Sequence, residues 1–450
     1  MSDNFDDNNN ENNKNTSINK PLNNDKCEPL YKLNATKNHL IIKFLKELLQ
    51  ELHVVFLNVE NYFATNRLDK FMFNYLFEYD LDPKNVFEIM TSNSENVSHF
   101  SSLIGYFYRR GIGCEVNEIK AFEILSSAAK NNQKVMLDQV TFDQRNESIR
   151  FLNDNIKELN EIIVQYFYSF FLYEDLVFNS KNSYKLHIKN AGKGDNVSQY
   201  YIGNFYLYGV KKDYSKAIEW YSKSSEGGNI KAMYKLGVCY ECGYGIKKDK
   251  KKALELYLKS AEGGYRRALY ELGNRYYYGN CTFKDKDKAF EFYLKAAEKG
   301  HDISQYLVAN YYYDGKCIPK NEERGFYWNR KAAINGHTEA QFKLAEYYIN
   351  SSINKNERKA FKWYYKLANK YKVRAIYLVA KCYRDGIGTD KNLEEAAKWI
   401  EKYETIKFFG KSQITLNEFL NGSNIDASSI PPYGYFYSFE CEDSIRNFSF

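Results

Sequence analysis

The chain has 450 residues, long for one compact core but ordinary for a stacked array whose core grows with each added unit. Its 64 Lys+Arg against 57 Asp+Glu leave a net charge of +7, too small an excess for a strongly basic polyelectrolyte binder. Aromatic residues make up 17% and prolines number only 6, which excludes a generally disordered chain and suits long helices with aromatic packing.

Residues 1–30 are polar and Asn-rich without an apolar run, and read as a disordered tail with no signal peptide. Residues 31–98 read as an N-terminal helical cap. Within them Leu40, Ile41, Phe44, Leu45, Leu48, Leu49 and Leu52 have the spacing of an amphipathic helix, and Phe71 to Met90 adds a further helical pair. Covering the end of an array is favoured for this segment over a separate docking role, because terminal units need covering.

From residue 99 to 404 one template recurs. An apolar residue precedes a small one, at Gly203, Gly237, Gly273, Ala309, Ala345 and Ala380, in steps of 34, 36, 36, 36 and 35. Three residues on stands Tyr206, Tyr240, Tyr276, Tyr312, Tyr348 or Tyr383. Gly209, Gly243, Gly279, Gly315 and Gly386 follow, with Ser351 the exception. Then come Ala217, Ala253, Ala289, Gly325, Ala360 and Ala396, each with Asp or Asn four residues ahead: Asp213, Asp249, Asp285, Asn321, Asn356 and Asn392. Such residues accept hydrogen bonds from the orphan N–H groups of a helix start. Each unit therefore reads as a helix, a Gly-terminated loop, a capped helix and a Gly-terminated turn. The small residues let the paired helices approach, and Trp220, Tyr257, Tyr293, Trp328 and Trp363 fill the space between hairpins.

Eight units are expected, near 99–132, 163–195, 196–229, 230–265, 266–301, 302–337, 338–372 and 373–404. The first is marked by Gly105, Tyr108, Gly111, Asn117 and Ala121, and the second is a degenerate copy with Ser169 and Leu172 at landmark positions. An insertion of mixed charge and helical periodicity lies near 133–162. The most apolar stretch, Ile162 to Tyr173, is too short for a membrane span and carries Gln165 and Ser169, so a buried helix is expected. Residues 405–450, with Pro431-Pro432-Tyr433-Gly434, lack the landmarks and read as a partly disordered tail or a peptide that folds back into a groove.

The run Tyr234-Lys235-Leu236-Gly237-Val238-Cys239-Tyr240-Glu241-Cys242-Gly243-Tyr244-Gly245-Ile246, then Asp249, Ala253 and Ser260-Ala261-Glu262-Gly263-Gly264, closely resembles the Sel1-like repeat family. The resemblance covers residues 99–404. It implies an all-α fold, a right-handed α/α superhelical solenoid of helix-turn-helix units related to tetratricopeptide repeats, and an adaptor or scaffold role. The arrangement is also similar to fungal signalling proteins in which such arrays follow a protein-kinase-like domain. Here no glycine-rich loop, His-Arg-Asp or Asp-Phe-Gly motif occurs, so a non-catalytic member is implied.

Catalytic chemistry finds no foothold. Cys239 and Cys242 form a lone C-x-x-C without further ligands, and packing is favoured over metal. Gly243 and Gly245 resemble a phosphate loop, but Gly111/Gly113 and Gly386/Gly388 fill the same slot, so they serve the interhelical loop. His301 and His337 stand at equivalent unit ends and suggest a turn role. No metal, cofactor or catalytic set is expected. The eight cysteines, from Cys27 to Cys441, lack the spacing of a disulfide scaffold and suit reduced thiols in a cytoplasmic protein without a membrane anchor.

Two binding readings remain. Lys211-Lys212, Lys247-Lys248, Lys250 to Lys252 and Lys284, Lys286 and Lys288 would line one edge, an RNA-binding alternative that interleaved Asp213, Asp249, Asp285 and Asp287 weaken. The position after each small residue should face the concave surface, and there Asn204, Asn274 and Asn310 could clamp an extended peptide through their amides, with Tyr208 and Tyr278 one turn on. The expected function is a scaffold that binds a protein or peptide partner in that groove, with an unrecognised enzyme site as the remote alternative.

Overall fold

A computed structural model describes residues 30–57, 64–130, 156–178, 180–209, 212–279, 283–315, 317–406, 416–425, 427 and 430. Residues 1–29 of the expected N-terminal tail, most of the insertion and residues 431–450 lie outside them, while Leu30 already belongs to the first helix. Among the described residues every regular element is helical. Helices α1 (Leu30–Leu57), α2 (Ala64–Glu78), α3 (Pro83–Met90) and α4 (Ser94–His99) precede the first hairpin, α5 (Ser101–Arg110) with α6 (Glu118–Lys130). Then come α7 (Ile156–Phe178) and α8 (Ser180–Ala191) where the degenerate unit was expected.

Six regular hairpins follow: α9 (Asn196–Tyr208) with α10 (Tyr214–Glu226), α11 (Ile230–Cys242) with α12 (Lys250–Glu262), α13 (Arg266–Tyr278) with α14 (Lys286–Glu298), α15 (Asp302–Asp314) with α16 (Glu322–Ile334), α17 (Thr338–Asn350) with α18 (Glu357–Ala368), and α19 (Val373–Asp385) with α20 (Leu393–Ile406). Each helix packs on the next in chain order, so the hairpins stack in tandem as an α/α solenoid. A short α21 (Leu416–Leu420) closes the end.

The loop inside each hairpin is built the same way seven times. The backbone N–H of the cap residue donates to the carbonyl of the landmark tyrosine, from Asn117 to Tyr108 at 2.8 Å through Asp249 to Tyr240 at 2.9 Å to Asn392 to Tyr383 at 2.8 Å. The cap side chain then accepts the N–H three residues on, as Asp213 does from Lys216 and Asn356 from Lys359, both at 3.0 Å. In six of the loops that third residue is basic and lies over the same tyrosine ring, including Lys120 on Tyr108, Lys252 on Tyr240 at 4.6 Å and Arg324 on Tyr312. Glycines 243, 279, 315 and 386 end the first helices in left-handed backbone, a conformation that a Cβ disfavours. Gly209 departs from this, ending α9 in extended backbone.

His301 and His337 take the turn role expected of them by capping first helices. Nδ1 of His301 accepts from Ser304 at 3.3 Å, and Nδ1 of His337 from Ala340 at 3.2 Å. At the C-terminal end Phe419 is fully buried, and Arg384 donates to the carbonyls of Phe419 and Ser423 at 2.9 and 2.8 Å, covering the last hairpin.

The array also bends back on its own beginning. Leu45, Leu48, Leu49 and Leu52 of α1 share a core with Met72 and Leu76 of α2, with Leu103 and Phe107 of α5, and with Ile334 of α16. Helix α1 lies on α7, while α2 lies on α16.

Candidate functional site

On an α-helix the positions six before, two before, one after and five after the small residue fall on one face. For α9 these are Val197, Tyr201, Asn204 and Tyr208; for α11 Lys231, Lys235, Val238 and Cys242; for α13 Arg267, Glu271, Asn274 and Tyr278. In α15 they are Ile303, Leu307, Asn310 and Asp314, and in α17 Glu339, Lys343, Glu346 and Asn350. Hydrogen bonds between successive first helices join these rows into a strip that crosses unit boundaries.

Side chains from successive first helices meet along this strip. Lys235 donates to the Tyr208 hydroxyl at 2.7 Å and lies over its ring. Lys343 donates to the Asn310 side-chain oxygen at 2.7 Å, and Arg374 of α19 reaches Glu339 at 3.3 Å. Beside the strip, Arg275 pairs with Glu241 at 2.7 Å and stacks on Tyr257, whose hydroxyl also donates to Glu241 at 2.8 Å. Burial opposes the Arg275 charge, yet Glu241 holds its pKa above the ordinary value. Burial, reinforced by Glu241, pushes the Glu271 carboxyl up, and burial holds the Tyr208 phenol at about 12.

The residues singled out from the sequence therefore stand at three stations rather than in one pocket. Asn204 is buried and its oxygen accepts from Tyr221 of its own hairpin at 2.8 Å; Asn274 accepts from Tyr293 in the same manner at 2.8 Å. Asn310 instead serves the next unit through Lys343. Tyr208 is held by Lys235, and Tyr278 stands 67% exposed. Sequence reasoning missed Lys235, Glu241, Arg275, Lys343 and Arg374. The signal available was the pair Lys235 and Lys343, each two residues before a small residue; Arg275 and Glu241 left none, since they follow no repeat position.

Cys239 is buried with its thiol pushed up to about 12, whereas Cys242 is exposed. Among the described residues no group of three His, Cys, Asp or Glu side chains is arranged to hold a metal ion, and no helix is long and apolar enough to cross a membrane.

A family model described as Sel1 repeat matches residues 102–133, 196–229, 230–265, 266–301, 302–337, 338–371 and 373–402. The degenerate pair α7 and α8 is not among the matched segments. No curated protein matches the chain. Among solved structures, a Sel1 repeat protein from Oxalobacter formigenes is 26% identical over 49% of this chain and 97% of its own, with a TM-score of 0.42. A protective antigen of uropathogenic Escherichia coli strains displaying an SLR fold is 23% identical over 75% of this chain and 76% of its own, with a TM-score of 0.42. An immunity protein from Pseudomonas aeruginosa is 19% identical over 51% and 87%, with a TM-score of 0.30.

Proposed function

The chain belongs to the Sel1 repeat family, whose arrays are protein-interaction scaffolds, and from that premise we propose that it is a non-catalytic scaffold holding a protein or peptide partner along the strip of its first helices. The observation that carries this reading is the state of the strip's side chains. Lys343 and Arg374 are already fixed by neighbours in the adjoining unit, so little rotamer entropy remains to be lost when a partner engages them, while the buried Lys235 braces Tyr208. Tyr278 adds an exposed ring of the kind that anchors interfaces. Scattered cysteines support a cytoplasmic setting, and the likeness to arrays found beside kinase-like domains supports a place in a signalling complex.

The test is crosslinking in native cells followed by affinity capture, with wild type beside Tyr278→Ala and the double variant Asn274→Ala/Asn310→Ala. A partner recovered by wild type should be lost, or fall at least tenfold, with either variant. Equal recovery from all three removes the strip as the site.

A further inference from the structure

Glu78, the last residue of α2, is fully buried, and every group that satisfies its side chain comes from residues more than 250 positions away. Its Oε1 takes Arg330 Nε at 2.8 Å and the Tyr348 hydroxyl, and its Oε2 takes Trp363 Nε1 at 2.9 Å. Its backbone carbonyl accepts Lys359 Nζ at 2.7 Å. One turn earlier Asn74 donates to the carbonyl of Ile334 at 2.8 Å. Phe77 packs edge-on against Trp363 at 5.0 Å with the Lys366 ammonium over its ring, and Arg330 lies over Tyr79. At the rim Lys362 pairs with Asp80, and Lys331 pairs with Glu51 of α1 at 2.7 Å.

The division of labour is that of ligand and receptor. The acidic acceptors lie on the N-terminal helices, and the donors lie on α16, α17 and α18 of the sixth and seventh units. A buried carboxylate matched by a cation and two neutral donors reads identity and orientation more than it adds stability, because desolvation offsets much of the Coulombic gain. Around Glu78 the contact is polar, as reversible interfaces between parts of a chain are, and Ile334 and Phe77 add apolar packing at its edge.

We propose that Arg330, Tyr348, Lys359 and Trp363 form a helix-docking site that reads a carboxylate, and that α2 fills it as a releasable clasp closing the array between its beginning and its sixth and seventh units. The site is independent of the strip on the first helices. When α2 leaves, it is open to an acidic helix with the same Asn-x-x-Phe-Glu spacing that α2 presents at Asn74, Phe77 and Glu78.

Hydrogen exchange on the full chain tests the clasp. In Glu78→Ala, amides of 64–78 should exchange at least tenfold faster while helices α11 and α13 keep their protection. Lys331→Glu, at a half-buried rim position whose partner Glu51 lies on the neighbouring α1, should speed the same segment together with α1, and adding Glu51→Lys should restore both. No change in 64–78 in either variant, or a parallel rise in α11 and α13, overturns the clasp. A labelled peptide of residues 64–82 tests the site: it should bind saturably to the Lys331→Glu chain, and at least tenfold more weakly when it carries Glu78→Gln. Absence of binding, or equal affinity of the two peptides, overturns the carboxylate-reading site.

Discussion

Whether a polar side chain is available to a partner is decided by its nearest neighbours. Asn204 and Asn274 were expected to face away from their helix pairs, yet Tyr221 and Tyr293 reach across their hairpins to the amide oxygens, a reach that depends on the angle between two helices. Histidine shows the converse, since equivalence alone predicted its turn role. His337 accepts a backbone N–H through Nδ1 and stacks on Tyr306 with 4.4 Å between centroids, so its neutral form is the one the fold uses. Burial lowers its pKa below the ordinary 6.5. The folded state then binds fewer protons than the unfolded one, and the stability present above about pH 6.5 is lost as pH falls through the folded value. Burial lowers His53 and His187 in the same direction. Urea midpoints should therefore drop between pH 7.5 and 5, and His337→Asn, which keeps a cap acceptor without the titration, should drop less. Matching profiles for the two proteins would show that His337 titration carries none of that loss.

Within the hairpin, the size of the small residue is matched to what faces it. A Cβ added at Gly203, Gly237 or Gly273 would stand 2.6, 2.9 or 2.6 Å from the ring of Tyr221, Tyr257 or Tyr293. Where alanine replaces glycine at 309 and 380, the residue in the ring's place is Asn329 or Ile400. Ala345 opposite Tyr364 is the exception, and nothing in the structure explains it. Gly273→Ala should cost about 1–3 kcal/mol through overpacking, read as a lower Tm. The double variant Gly273→Ala/Tyr293→Leu should regain part of that loss. A single variant as stable as wild type would show that the ring moves aside freely. The caps Asp213, Asp249, Asp285, Asn321, Asn356 and Asn392 were all legible because capping is a local interaction over three residues. The stacking of a basic residue on the landmark tyrosine was present in the sequence as a fixed spacing but acquires meaning only once the loop closes.

At the scale of the whole chain, a solenoid couples each unit to its neighbours, so damage should stay near its origin. Leu272→Ala, in a fully buried position of α13, should raise amide exchange in adjoining hairpins and leave α1 and α2 protected. Ile334→Ala should act differently, because that side chain belongs to the core of the N-terminal helices. It should speed exchange in α16 and in α1 and α2 together, across more than 250 residues of sequence. Exchange confined to α16 would refute the shared core.

The period, the hairpin, its caps and the stacked all-α architecture were determined by the sequence, because each depends on residues within one unit and repetition displays them again and again. The family followed from the same repetition. Three things waited for tertiary structure: which polar groups satisfy one another across units, where the strip's charges pair, and the return of α2 to α16 and α18. Bend and twist accumulate from small rotations at every interface, and no local pattern of residues encodes their sum. Glu78 follows no repeat landmark, and only the array brings Arg330, Tyr348 and Trp363 around it.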